Sequence, residues 1–582
     1  MDAKQFFLQP QLPVHRNYEA LRDFFTTDAT ESQVALAHGM TFHSFRTVKR
    51  DFLKTLKEGD PHCFFFKTTR TGPKGRRVQE DVAEKIAALR EKELSIPDIK
   101  VALDAQGAVP SYGTIHSILR EYGFTRLDRR GRRQREEGGA AGICEPPQAQ
   151  KIDWENLEPG EFASRGVGLF MFAGILKQLD VANLVKEARY PGTRSLPALS
   201  AILSFLALKL SDNERLSHVD EVTLDRGFGL FAGLNVLPKT ATLSAYSYRV
   251  STGMNRRFSQ ALCRATLSLL AHGGDVNLDF TTIPHWGEES VLENNWSGKR
   301  GKALKSVLAL LAQDAETGLL LYGDAGVLHR DESAGVLEFV DFYRETGASI
   351  KCLIFDSKVT TYQNLSRLNG DGIKFITIRR HSKSIDKQIA AIADDQWLNI
   401  DLGSEFKRKY RYLKAHDSSI PLRNYEGQLR QIVIKDHGRE RPSIIITNIL
   451  DAKITQLLRR YGHRWLIEKS FSEQIDFFHL NRLSSSIVVK VDFDLTMTLL
   501  AHTCYLLLGH TIKGFEKSTA KHLYRKFISN IGRVRLDSKN IEIILNKKAH
   551  LPLLHNAGLI ENHTNVPWLN NSDLSISIGT SL

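Results

Sequence analysis

Cysteine is scarce in this chain of 582 residues. Five are present, an odd number, widely scattered (Cys63, Cys144, Cys263, Cys352 and Cys504) and without a C-x-x-C pair. That excludes a zinc ribbon and a disulfide framework and leaves free thiols of a reducing compartment. A long apolar run is also missing. The most apolar stretch, LTMTLLAHTCYLLLG from Leu495, falls short of the ~20 residues a membrane span needs and holds His502, so it reads as a buried core helix. The opening MDAKQFFLQPQLPVHRN has no apolar segment behind a basic start, and no signal peptide is expected. No internal repeat and no coiled-coil heptads are found. The expectation is a soluble, cytoplasmic protein with no membrane partner.

What is in excess is positive charge: 79 Lys+Arg against 66 Asp+Glu, a net charge of +13 and a pI near 9.3. A cationic protein of this size suggests a polyanionic partner, nucleic acid before a membrane surface. The charge clusters in two linker-like stretches. KTTRTGPKGRR (67–77) holds five cations, Arg76 and Arg77 among them, and nothing acidic. RLDRRGRRQR (126–135) holds six arginines, including Arg129, Arg130, Arg132 and Arg133. Extended arginine runs can lie in a minor groove or along phosphates; the bland alternative is a solvated charge run.

Each stretch follows a segment of helix–turn–helix character, expected over 20–66 and 79–125, with 67–78 and 126–150 as linkers. In the first, Thr30 caps a helix ending near His38, Gly39 makes the turn, and Thr41 to Lys54 forms a second helix bearing Arg46, Lys49 and Arg50. In the second, Ser95 caps one helix, Gly107 and Pro110 break the chain, and Tyr112 opens the next helix. Two such units in tandem favour double-stranded DNA as the partner, though a small packing motif looks the same.

Beyond the hinge the pattern turns helical over 151–272 and then shifts to strands. DVNLDFTTIP, KSVLALLAQD and GLLLYGDAGVL are strand-like, followed by the helix SAGVLEFVDFYRETG and the buried strand KCLIF. More strands follow to residue 450, and helices are expected from Ile454 to the end, with 511–582 as a C-terminal helical region.

Three carboxylates stand out by position. Asp279 lies inside the strand VNLDFTTI, an expensive place for a charge unless it faces a site. Asp356 ends CLIFD, and strand C-terminal ends are where α/β sheets bind ligands. Glu468 lies in YGHRWLIEKSFSEQIDF, where Tyr461, Arg464 and Glu468 fall along one edge of a helix. Two strand aspartates and one helix glutamate can supply oxygen ligands for two Mg²⁺ ions at a phosphodiester. Each has a duller reading: Asp279 a strand-end turn residue, Asp356 a helix N-cap, Glu468 an i,i+4 partner of Arg464. Asp324 in LLLYGDAG competes with Asp356, but DAG reads better as a turn.

The order strand Asp279, strand-end Asp356, helix Glu468, with YGHRWLIE around the glutamate, resembles bacterial insertion-sequence transposases of the DDE type. It is most similar to the cut-and-paste group with a Tyr-x-x-Arg-x-x-x-Glu signature. The resemblance spans roughly residues 160–510. It implies an α/β fold with an RNase H-like catalytic core (273–385 and 451–510), interrupted by an inserted β-rich subdomain (386–450) and preceded by all-α helix-turn-helix domains. It implies that Asp279, Asp356 and Glu468 are catalytic and hold two Mg²⁺ ions, with Mn²⁺ as substitute, while Tyr461 and Arg464 contact DNA phosphates. It further implies a homodimer on DNA, nucleoid-associated in the bacterial cytoplasm, that cuts at the terminal repeats and transfers the freed strand. One departure stands out: the signature's Lys seven residues after the Glu is Ile475 here. The alternatives are a catalytically decayed DNA-binding regulator and a nuclease without strand transfer.

Overall fold

The structure, a computed structural model, describes residues 12–57, 65, 80–91, 94–104, 110–124, 147–270, 273–285, 292–297, 301–404, 411–438, 440–464, 473, 477–480 and 488–579. The expectations placed on Arg76, Arg77, Arg129, Arg130, Arg132, Arg133, Glu468 and Ile475 lie outside the described residues. The chain divides into two units, Met1–Glu145 and Pro146–Leu582.

The first unit is helical. Helices α1 (Pro13–Thr26), α2 (Glu31–Ala37) and α3 (Phe42–Lys57) close around Ala20, Leu21, Val34, Ala35 and Phe45. Thr30 caps α2 in a reciprocal capping box with Gln33, and Gly39 turns the chain at φ 61°, a left-handed conformation that favours glycine. Helices α4 (Glu80–Glu91), α5 (Ile96–Asp104) and α6 (Tyr112–Glu121) enclose a second apolar cluster, Ile86, Ile99, Leu103, Ile115, Ile118 and Leu119 among its members. Each of the two helix pairs read from sequence therefore has a third helix on its N-terminal side, α1 and α4. Alone, neither pair has enough apolar face to close a core.

The second unit is mixed α/β. A helical segment containing α7 (Ala198–Leu210) and α8 (Thr252–Leu269) leads into a ten-stranded sheet. Its strands are β2 (Asp275–Pro284), β3 (Asn294–Ser297), β4 (Lys302–Asp314), β5 (Leu320–Val327), β6 (Cys352–Phe355), β7 (Lys374–Ile378), β8 (Leu398–Asp401), β9 (Tyr412–Ile420), β10 (Leu429–Lys435) and β11 (Ser443–Thr447). The order runs β3-β4-β2-β6-β7-β11-β10-β9-β8, with β5 also on β4. Strands β2, β6 and β7 are parallel neighbours, and every other pairing is antiparallel. Strands β8 to β11 lie within residues 386–450 and continue the same sheet outward, since β11 pairs with β7. One sequence expectation is corrected here: Asp324 lies within strand β5, not in a turn.

Period-two alternation assigns the faces. Val276 and Leu278 of β2, Leu353 and Phe355 of β6, and Phe375 of β7 pack with helices α9 (Gly335–Glu345) and α10 (Tyr362–Gly370). Cys352, Ile354 and Ile376 point the other way, against Leu457 and Leu458 of helix α11 (Ile454–His463). Helix α12 (Val488–Thr511) covers that same opposite face farther along, with Val491 and Leu495 on Val307, Ala309 and Leu311 of β4. At 24 residues α12 is longer than the apolar run suggested, long and apolar enough to cross a membrane by length and composition, yet mostly buried inside the fold. Its Asp492 accepts from Asn255 Nδ2 of α8 at 2.7 Å and from the Ala325 amide of β5 at 3.4 Å.

The expected C-terminal helical region is also corrected. Strands β12 (Gly532–Leu536), β13 (Asn540–Leu545), β14 (His563–Val566) and β15 (Ser572–Ile578) join β1 (Gly160–Ser164) in a second sheet, order β1-β12-β13-β15-β14. The signal is a strict alternation: in GRVRL, Gly532, Val534 and Leu536 are buried while Arg533 and Arg535 reach out to Glu161 of β1.

Two predictions follow from this packing. A Cβ on Gly168 would lie 1.8 Å from the Ile528 carbonyl oxygen, a backbone atom that cannot step aside. Gly168→Ala is expected to lower stability in urea unfolding by about 1–3 kcal/mol. Burial raises the Asp492 carboxyl from 3.8 to about 6, with nearby Asp324 adding to the rise and the Asn255 and Ala325 donors opposing it. A folded pKa above the unfolded one stabilises fully at low pH, and this contribution fades as pH climbs through the folded value. From about pH 4 to above about pH 6, the stability of wild type relative to Asp492→Asn should therefore fall by roughly 3 kcal/mol. Parallel unfolding curves of the two proteins across that range check it.

Candidate active site

Asp279 and Asp356 meet because parallel strands in register bring like positions together. Leu278 of β2 faces Phe355 of β6 across the ladder, so the next residue on each strand is an aspartate. Adjacent strands are roughly 4.8 Å apart, which makes the two carboxylates neighbours. Alternation sends both to the α11 face, since Leu278 and Phe355 are committed to the other.

Helix α11 is fixed over these strands by ion pairs. Arg460 grips Asp275 in a bidentate pair, Nε to Oδ2 at 2.8 Å and Nη2 to Oδ1 at 2.6 Å. Four residues on, Arg464 donates from Nη1 to Asp279 Oδ2, both side chains largely buried. Asp279 Oδ1 accepts from the Phe280 amide at 2.9 Å. Tyr461 lies one turn before Arg464, whose guanidinium carbon is 5.6 Å from the centre of the tyrosine ring. Burial pushes the Tyr461 phenol up to about 12, and the Asp356 and Asp279 carboxylates add to the rise against the lowering by Arg464. The phenol therefore stays protonated and able to donate.

Asp356 also serves as N-cap of the 3₁₀ turn Ser357–Val359, Oδ1 accepting from the Ser357 amide at 2.5 Å and from its hydroxyl at 3.2 Å. The capping role and a place in the site are thus compatible. A cleft opens beside it, with Asp356, Tyr461, Arg464, His381, His437 and Arg441 on its walls and Leu402, Leu413, Ile434 and Leu458 beneath.

Two carboxylates of this kind make an oxygen-only donor pair suited to a hard divalent cation such as Mg²⁺ or Mn²⁺. Among the described residues no group of three His, Cys, Asp or Glu side chains could hold a metal ion.

In the first unit, Lys49 does not face outward as expected. Its ammonium is 2.8 Å from Glu31 of α2 and 3.9 Å above the Phe24 ring, so it ties α3 to its own bundle. Arg46 and Arg50 are exposed, Arg46 near Glu31 at 3.6 Å and Arg50 beside Asp51 at 3.1 Å. Tyr112 is exposed at the start of α6, where Ser111 provides the cap. Sequence reasoning placed Arg464 on a phosphate and overlooked Arg460 and Asp275. The cue was present: both pairs repeat at an interval of four, 460 to 464 on the helix and 275 to 279 on the strand.

Removing either aspartate should have unequal effects on the protein alone. Asp279→Ala strands a nearly buried guanidinium and is expected to cost roughly 2–4 kcal/mol. Asp356→Ala removes a cap and is expected to cost about 1 kcal/mol. Urea unfolding without DNA measures both, and equal losses would contradict the Arg464–Asp279 pairing.

Comparison with known proteins bears on this arrangement. Residues 275–504 match the family described as the transposase DDE domain, a stretch that begins with β2 and ends within α12. No curated protein matches. Among solved structures, the piggyBac transposase synaptic complex with hairpin DNA, determined by cryo-EM, is similar at 11% identity and a TM-score of 0.35, over 64% of this chain and 83% of that one. At that score the likeness carries no weight. The family match, which encloses Asp279, Asp356 and Glu468, supports a DDE transposase and with it a part in DNA transposition.

Proposed function

We propose that the protein is a cut-and-paste DNA transposase, which binds the terminal inverted repeats of a mobile element, hydrolyses a phosphodiester at each end and joins the freed 3′-hydroxyl to target DNA. The observation that carries this reading is the placing of Asp279 and Asp356 side by side on one sheet face, within the segment that matches the transposase DDE domain. The order β5-β4-β2-β6-β7, with β2, β6 and β7 parallel, supports an RNase H-like core.

Asp279 and Asp356, with Glu468 as the third ligand, would hold two Mg²⁺ ions, Mn²⁺ substituting. When bound, such ions lower the cost of forming an attacking oxyanion and of releasing the leaving oxygen. The chain's own groups position the DNA. The protonated Tyr461 phenol donates to a phosphate oxygen, and Arg464, bound to Asp279, keeps that carboxylate oriented. The apolar residues of α11 hold the helix to the sheet, so that positioning and fixed charge supply most of the rate.

The N-terminal unit supplies binding to double-stranded DNA through two helix-turn-helix modules. Arg46 and Arg50 of the exposed α3 surface and Tyr112 at the start of α6 are its contacts, joined by Arg76, Arg77, Arg129, Arg130, Arg132 and Arg133 of the basic linkers. A homodimer would bridge two ends in the bacterial cytoplasm, at the nucleoid.

The test uses the purified full chain and a duplex taken from the DNA flanking its gene. Glu468→Gln is expected to bind this duplex as wild type does in a mobility-shift assay and to cut it at least about 10³-fold more slowly with Mg²⁺. Undiminished cutting by the variant would overturn the assignment. Wild-type protein that binds without cutting would instead be a DNA-binding regulator.

A further inference from the structure

Strand β7 lies beside β6, which leads to Asp356, and one strand away from β2, which carries Asp279; it is parallel to both, and its C-terminal end leads directly into two arginines. The ladder runs past the strand, since the Arg379 amide donates to the Ile444 carbonyl at 2.8 Å. Ile376 and Ile378 pack on the α11 face, so alternation points Arg380 toward the face that holds the two carboxylates. Its contacts agree. Arg380 Nε donates to Ser357 Oγ at 3.4 Å and Nη2 to the Ser357 carbonyl at 3.3 Å. That same Ser357 hydroxyl donates to Asp356 Oδ1 at 3.2 Å. One hydroxyl thus separates this guanidinium from the carboxylate.

Most of the arginines around the site are already committed, Arg441 on the cleft wall apart. Arg464 is taken by Asp279, Arg460 by Asp275, Arg430 by Asp417 and Arg411 by Asp401. Arg380 is exposed and, among the described residues, has no carboxylate partner. A guanidinium has five N–H donors in a fixed fork, and these two contacts leave part of that fork facing the ligand end of the parallel strands. Placed next to Asp356 without being neutralised by it, the group is set to receive an anion.

We infer that Arg380 binds a non-bridging oxygen of the DNA phosphate at the cut site, holding it against Asp356. The inference rests on the transposase reading above and adds a substrate contact to it. Guanidinium suits the role because it offers two parallel N–H groups to a phosphate, which an ammonium does not.

The experiment compares the full-length wild type, Arg380→Ala and Arg380→Lys on the gene-flanking duplex. The duplex carries either normal phosphates or a single neutral methylphosphonate at successive positions around the cut. Arg380→Ala is expected to cut about tenfold or more slowly. The slope of its log binding constant against log salt should be shallower by about 0.9, the loss of one phosphate contact. The methylphosphonate that slows wild type most should slow Arg380→Ala by a smaller factor than it slows wild type, and Arg380→Lys should recover part of the cutting. A wild type that cuts, matched in rate and methylphosphonate sensitivity by Arg380→Ala, would overturn the inference alone. A wild type that cuts no DNA would remove the transposase reading and this contact with it.

Discussion

Three carboxylates crowd one face of the parallel strands, Asp275 and Asp279 on β2 and Asp356 on β6, and two guanidinium groups of a single helix offset them. Arg460 and Arg464 are one helical turn apart, about 6 Å along α11, whereas Asp275 and Asp279 are about 13 Å apart along their strand. Only long, splayed side chains can serve both at once, and that fixes the height and rotation of the helix on the sheet. Where Tyr461 stands follows from this clamp. Without it the aspartates would lie together against an apolar helix, an arrangement that neither desolvation nor mutual repulsion favours.

The strands were legible because a sheet covered on both faces leaves a direct mark in sequence. CLIF and the run through KSVLALLAQD are apolar at successive positions, since each face meets helices. The two aspartates were legible for the complementary reason: a charge in such a run has to be answered by something. What answers it was not legible. Arg464 reads from sequence as a cation available to a ligand, and its capture by Asp279 depends on two segments 185 residues apart in the chain coming together. Lys49 illustrates the same limit at shorter range, because Glu31 and Phe24 reach it only once three helices have closed.

Elsewhere the signal was present but short. The C-terminal strands are four to seven residues long, and alternation over such a length is easily taken for the edge of a helical stripe. Helices α1 and α4 escaped notice because each has a largely polar sequence, with only a few small or branched residues turned inward. The outward growth of the sheet through β11 had no local signal at all. Strand propensity says that a segment is extended and does not say which edge it joins.

Helix α12 belongs to two cores. Phe493, Met497, Ala501, Cys504 and Tyr505 are part of the large cluster built with the helical segment, while Val491 and Leu495 complete the sheet's cover. Its Asp492 joins Asn255, which in turn accepts from the Tyr190 hydroxyl at 2.9 Å. The stretch 275–504 that matches the family model is therefore not a unit of folding by itself. Cut out at those limits, it would expose the apolar flank of its last helix to water and lose Asn255, one of the two donors to the buried Asp492. A fragment that keeps both covers of α12 intact must begin nearer residue 146 than residue 275.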